Sequence, residues 1–552
     1  MKTRRLLTIL AMAAVISPAS AQNNNSSSGR FNKGFGQARK EMYDRYNDFR
    51  KKALKDYSEF VRNAWKDYEA RPAIEAPQEE EVQPMLAPGA DEKTASWFDK
   101  LFRRKKKDLH PNAPKKEQQA KVDKPAPKPQ PKADKPEPKQ QDAVQAATTD
   151  RRKAKELSFK EVIKPEPIVK QPEPLAEVKE DASFANDYMK FTVFGTECQV
   201  RIGKNCHVRL RSTSADDVAD AIEEFQETQF DNMLYDCLKE RKRHGFSDWA
   251  YYQMLLALTK KFYGDTNEGT LVRAFLYSQS GYKMRLAHGN NRLCMLTASR
   301  HFIYGKKYFY LDDEWYYLLD DSDCDRLSIC QASFPKESSL SLQISAVQKF
   351  GNNPTAERTI TSLKNPDWSF TITSNKNYLD FYETYPSSCV NQNFMTRWAM
   401  YANTPIEEGI REQLYPQIQQ RLQGLSQKDA VQQLLWWVQT GLEYAYDEDV
   451  WGADRAFFGE ESLFYPYCDC EDRSILLSHL VRELIHLDCI LVYYPGHLAM
   501  AVGFTDDVQG DHIMLDGQKF IVCDPTYIGA RIGETMPDMR GLDTTVILLQ
   551  KS

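Results

Sequence analysis

Residues 72–183 are dominated by Pro, Lys, Glu, Ala and Gln, as in the run PAPKPQPKADKPEPKQQ, and this stretch divides the chain. Burying so little apolar surface does not offset the entropy lost on folding, so composition predicts a disordered, partly extended linker. What folds is expected on either side of it. At 552 residues the chain is too long for one core, and two or three folded units are expected. The net charge of −5 is small for this length and gives no case for a nucleic-acid partner.

Upstream of the linker, residues 1–21 combine Lys2, Arg4 and Arg5, an apolar run from Leu6 to Ile16, and an Ala19-Ser20-Ala21 end. That order reads as a secretory signal peptide, with an apolar run too short for a permanent membrane span. The first cysteine is Cys198, so a lipoprotein anchor behind the signal is not expected. The mature chain is therefore expected to be exported, periplasmic or extracellular, without a transmembrane span. Across 22–71, Tyr43, Tyr46, Phe49, Leu54, Tyr57, Phe60, Val61 and Trp65 recur at three- and four-residue steps, which predicts an amphipathic helical arm. Within the linker, residues 97–107 join a short apolar face to five bases. They read either as a peripheral contact with an anionic surface or as a solvated charge run.

Beyond the linker, order is expected to return as an α+β protein with helices packed on antiparallel sheet. Residues 184–335 alternate helical and strand patterns, and 336–404 are strand-rich. Within 405–552 a helical section runs from about Pro405 to Tyr446 and then gives way to the segment that carries chemistry. All eleven cysteines lie from Cys198 to Cys523; an exported compartment permits disulfides, and the sequence does not give their pairing.

That segment begins Tyr467-Cys468-Asp469-Cys470-Glu471-Asp472-Arg473-Ser474. Ile475, Leu476, Leu477, Leu480, Val481, Leu484 and Ile485 follow at helical spacing, so a largely buried helix is predicted, capped by Asp469. Cys470 then sits at the positive end of the helix, where a thiolate is favoured and where backbone amides stabilise an oxyanion. His497 opens a strand after the Pro495-Gly496 turn, and Asp524 ends a later strand at Asp524-Pro525-Thr526. A thiol, an imidazole and a carboxylate in these positions supply the nucleophile, the base and the group that orients the base. The pairing is open: either His497 and Asp524 lie opposite each other, or an Asp516-Gly517 hairpin in a simple meander sends them to opposite ends. A metal site from Cys468, Cys470, His479 and His497 is the rival, weakened by the single residue between the cysteines. His512 is the alternative imidazole.

Asp-Cys-Glu-Asp-Arg-Ser, Pro-Gly-His and Asp-Pro-Thr together resemble the transglutaminase-like superfamily of papain-like fold, over roughly residues 405–530. The resemblance implies Cys470 as nucleophile, His497 as general base and acid, and Asp524 as its orienting partner, with no cofactor. Gln439 and Tyr444, from the preceding section, are the candidates for an oxyanion-stabilising side chain. Leu498, Ala499 and Met500 stand where the family often has an aromatic residue, a departure that bears on substrate class. A shift of 204 positions lays His497 on Leu293 and Asp524 on Asp320, while Cys470-Glu471 meets Asn267-Glu268 one residue out of register. This predicts an inert, degenerate copy in 184–335. The functional expectation is an exported cysteine-dependent acyl-transfer enzyme acting on a protein or peptide, in the cell envelope or beyond, by amide hydrolysis or glutamine–lysine cross-linking. The alternative is a non-catalytic envelope scaffold on the same fold.

Overall fold

The computed structural model describes residues 52–78, 82–102, 153–181, 188–203, 206–228, 230–320 and 324–551. The signal region, the first part of the arm and the bases at 103–107 lie outside these residues. The chain divides into two units, Met1–Asp56 and Tyr57–Ser552. Residues 52–56 of the first are helical, and among the described residues all sheets belong to the second.

The fold is α+β and contains two six-stranded sheets with one order. In the C-terminal sheet the order is His512–Leu515, Gln518–Cys523, His497–Gly503, Asp488–Tyr494, Thr544–Leu548, Phe159–Ile163. In the N-terminal sheet it is Tyr308–Leu311, Glu314–Leu318, Arg292–Ser299, Met284–Gly289, Arg326–Cys330, Trp65–Glu69. In each sheet the two central strands are preceded in sequence by a helix that packs on them, Cys470–Leu484 in one and Asn267–Gln279 in the other. Both also share a type I′ turn with two left-handed residues: Asp516 (φ 48°) and Gly517 (φ 83°), and Asp312 (φ 51°) and Asp313 (φ 63°). The repeat legible at a spacing of 204 is thus also a repeat of topology.

Each sheet closes on itself. Glu156 bridges His512, with the Leu157 N–H donating to His512 O at 2.8 Å, so the segment that ends one edge also reaches the other. Arg71 does the same for the N-terminal sheet, its N–H donating to Tyr308 O at 2.8 Å. Closure leaves no bare edge, and the inward side chains form the cores. Ile490, Val492, Ala501, Val522 and Val546 fill the C-terminal barrel, and Leu296, Ala298, Phe309, Tyr316 and Ile329 the other. The closing strands differ in direction: Trp65–Glu69 runs antiparallel to its neighbour, Phe159–Ile163 parallel.

These closing strands correct two expectations. Trp65, read as part of a helical stripe, begins a strand; only residues up to 63 are helical. Ser58 and Arg62 tie that helix to Glu223 (2.9 Å) and Asp220 (2.6 Å). The region read as a disordered linker is ordered at both ends, as Met85–Leu86, the helix Glu92–Phe102 and the strand Phe159–Ile163. Its apolar residues are few, but some find a prepared partner: Leu157 is 3 % exposed inside the C-terminal barrel. The central part, 103–152, lies outside the described residues. In 336–404, Arg358–Thr361 and Ser369–Ile372 pair as expected, whereas 339–347 contributes one isolated bridge, at Leu340, and the region adds the helices Lys376–Glu383 and Arg397–Asn403.

Leu157→Ala is expected to destabilise the protein by about 2–4 kcal/mol, the cost of a cavity in a packed core. Urea denaturation followed by tryptophan fluorescence measures it; a disordered Leu157 would give no shift in midpoint.

Candidate active site around Cys470, His497 and Asp524

The helix Cys470–Leu484 is buried at every residue except Glu483, so it is a core element. Its start is a reciprocal capping box: Asp469 accepts the Asp472 N–H (3.4 Å) and Asp472 accepts the Asp469 N–H (3.3 Å). Asp472 also accepts the Phe457 N–H at 2.7 Å. Cys470 is the first helical residue and is 3 % exposed. Ser474 donates to Leu498 O at 2.9 Å, pinning the helix to the strand beside His497.

His497 and Asp524 meet: Nε2 lies 2.9 Å from Oδ2, and both residues are buried. A carboxylate only accepts, so Nε2 carries the proton and Nδ1 is the basic nitrogen. That Nδ1 is buried and has no hydrogen-bond partner. The other oxygen of Asp524 accepts the N–H groups of Thr526 (2.8 Å) and Tyr527 (3.2 Å), a turn that fixes the carboxylate. Both pairing alternatives hold in part. The Asp516-Gly517 hairpin exists, but its first strand, His512–Leu515, lies outside Gln518–Cys523, which pairs directly with His497–Gly503. The register Met500↔Cys523 continues to place Asp524 across from Ala499, two positions from His497 on the same face, rather than opposite it.

Gln439 has a different role from the one expected. Fully buried, its Nε2 donates to Asp524 O (3.0 Å) and Tyr527 O (2.9 Å), and its Oε1 accepts the Gly529 N–H (3.2 Å). Its amide is committed to holding the Asp524 loop, which leaves no donor for an oxyanion. Tyr444 is likewise buried, with the Arg473 guanidinium 5.3 Å over its ring, and is not on the cleft wall; Tyr446 is. Arg473 itself donates to Leu442 O (2.8 Å), Gln439 O (3.3 Å) and Pro525 O (3.4 Å). It thereby joins the Cys470 helix to the loop that carries Asp524.

A cleft of about 540 Å³ is lined by Cys470 and His497 together with Arg397, Trp398, Glu448 and Asp454. Arg397 bonds Glu471 (3.2 Å) and Asp454 (3.0 Å), and the Trp398 indole, stacked 5.3 Å from Tyr493, has an unpaired buried N–H. Neither residue was legible in the sequence, because they enter from a helix outside any motif. Pro77 and Gln78 also line the cleft, the Val82 N–H donates to Gly496 O (2.8 Å), and Met85–Leu86 pairs parallel with Tyr527–Ile528. The segment upstream of the second barrel therefore walls the site.

The rival residues go elsewhere. His479 lies 3.3 Å from Glu483, His512 lies 2.9 Å from Gly510 O, and the Cys468 thiol lies 3.8 Å from Glu443 O. None of the eleven cysteines forms a disulfide. In the N-terminal module, Asn267 starts the equivalent helix and bonds Leu293 N (2.9 Å) and Asn291 O (3.1 Å). Asp320 is paired with Arg273 and accepts the Tyr252 hydroxyl at 2.7 Å. A thiol and an imidazole are absent from those positions.

The surroundings are acidic, and several of the carboxyl groups are buried. Burial, reinforced by neighbouring carboxylates, holds Asp447 and Asp469 well above the usual carboxylate range. Burial also raises Glu471, opposed by Arg397, and pushes Glu460 up to about 8. Comparison with protein-family models, curated proteins and solved structures gives no match to this chain.

Glu460 is neutral in the folded protein where it is ionised in the unfolded chain, between its ordinary 4.5 and about 8. The folded state binds the extra proton there, so its contribution to stability is complete below 4.5 and lost as pH rises towards 8. Thermal melts across this window are expected to fall less steeply in Glu460→Gln than in the parent; equal slopes would contradict the assignment.

Proposed function

We propose that the chain is an exported, cysteine-dependent acyl-transfer enzyme of transglutaminase-like fold, with Cys470 as nucleophile, His497 as base and acid, and Asp524 as orienting group. The observation that carries this reading is the buried His497–Asp524 pair, whose Nδ1 has no partner, on the wall of the cleft that Cys470 also lines. Asp524 fixes the tautomer that makes Nδ1 the base.

In this mechanism Nδ1 takes the Cys470 proton and the sulfur attacks the carbonyl carbon of a peptide or side-chain amide. The C–N bond breaks, the amine leaves with the proton from the imidazolium, and a thioester remains. Water, deprotonated by Nδ1, then releases the carboxylic acid and the thiol; an amine in place of water gives a cross-link. The start of the Cys470 helix and the unpaired Trp398 N–H are the donors available to the oxyanion. The walls place Glu448 and Asp454 beside an aromatic surface, in a cleft sized for an extended segment of a protein or peptide substrate. No cofactor enters these steps. The basic start, apolar run and Ala-x-Ala end of residues 1–21 support export, to the periplasm or beyond the cell.

A second reading, a non-catalytic envelope scaffold, is favoured by one observation: the N-terminal module keeps the topology with Asn267 and Leu293 where the other has Cys470 and His497. Incubation with p-nitrophenyl acetate separates the two. The enzyme reading predicts a burst of nitrophenolate and a hydroxylamine-labile acetyl group on Cys470 by mass spectrometry, slowed about 10²–10⁴-fold in His497→Ala. Acylation no faster than at an ordinary thiol would favour the scaffold.

A further inference from the structure

The N-terminal module holds a second cluster of reactive side chains, far in sequence from the cleft. The hairpin Tyr188–Val193/Thr196–Arg201 packs against the helix Phe230–His244. Cys198 points from the hairpin into this contact, and Cys237, Glu240 and His244 occupy positions i, i+3 and i+7 on one face of the helix. Cys198, Cys237 and Glu240 are 0, 0 and 3 % exposed. Glu240 Oε2 lies 3.0 Å from His244 Nε2, and one ligand atom each from Cys198, Glu240 and His244 lie within 4.8 Å of one another.

A buried carboxylate, imidazole and thiol converging from two elements leave a negative charge that a cation would offset. Arg243, 3.5 Å from Glu240, is 58 % exposed and contributes little inside. Tetrahedral zinc, with bonds of about 2.0–2.3 Å, has ligand–ligand edges of about 3.3–3.8 Å, inside the 4.8 Å that bounds the three ligand atoms here. The donor set, soft sulfur with imidazole and one oxygen, is the set that selects zinc over calcium or magnesium. The His244 ring is also held, stacked 5.2 Å from Phe246.

We propose that Cys198, Glu240 and His244, whose ligand atoms converge, form a structural zinc site that clamps the hairpin Tyr188–Arg201 to the helix Phe230–His244, with Cys237, from the same helix face, as its fourth ligand. Binding releases the two thiol protons to solvent and leaves a site of net charge −1. With four protein ligands the site has no open position, so its role is to hold the fold of the module that lacks the thiol and imidazole.

Full-length protein prepared without a metal-chelating tag is expected to carry one zinc per chain by elemental analysis. Cobalt exchanged into it should show a near-ultraviolet thiolate-to-cobalt charge-transfer band and visible bands of tetrahedral intensity. Cys198→Ser should weaken that band and His244→Ala should lower zinc retention against a chelator by at least about 10-fold. The cobalt spectrum of the parent is informative even where a variant misfolds. Absence of stoichiometric metal, cobalt bound without the thiolate band, retention unchanged in both variants, or a Cys198–Cys237 disulfide in peptide maps would each overturn the proposal.

Discussion

Two closed barrels, each sealed by chain from far upstream, set the geometry on which everything else rests. A sheet of six strands with bare edges would leave rows of unpaired N–H and C=O groups. Trp65–Arg71 seals the first barrel and Glu156–Ile163 the second. Closure fixes register, and register fixes the site. With Met500 opposite Cys523, His497 and Asp524 fall on one face within hydrogen-bond reach, and a slip of one residue would turn them to opposite faces.

Around that register, the fold spends its buried polar groups on holding the Asp524 loop still. Gln439 and Arg473 between them bond the carbonyls of Asp524, Pro525 and Tyr527, and Asp524 accepts two N–H groups of its own turn. Five residues of Asp469–Ser474 have bonds that place the helix: two caps, an ion pair with Arg397, a guanidinium web and a hydroxyl on Leu498 O. This explains why six consecutive polar or reactive residues tolerate burial. Each is held by the backbone, by an opposite charge or by its neighbour, and the Cys470 thiol, which also lines the cleft, lies 3.5 Å from Glu471 Oε2.

Much of this was legible in the sequence for physical reasons. The Cys470 helix announced itself by an apolar periodicity with a carboxylate cap, and the Asp516-Gly517 turn by its need for left-handed residues. The repeat at 204 residues survived as topology even though few identities remain. What composition misjudged was the linker. Residues such as Leu157 and Val162 are too sparse to make a core, but they complete one that others have built. Register was also beyond the sequence, because the hairpin turn fixes only the pair it joins and not which strand lies next. Gln439 illustrates the third limit: an amide near a catalytic motif reads as a donor to substrate, and only its carbonyl partners reveal a brace. Arg397 and Trp398 left no signal at all, since a helix 70 residues upstream brings them in only through tertiary packing.

The central claim is that His497 sustains Cys470 as a thiolate, and the rate of iodoacetamide alkylation at Cys470 against pH tests it most directly. Located by peptide mass spectrometry, alkylation in the parent protein is predicted to titrate well below the free-thiol value of about 8.5, and to return towards it in His497→Ala. A Cys470 that titrates as an ordinary thiol, or that is indifferent to the loss of His497, would contradict the account and leave the fold as a binding platform.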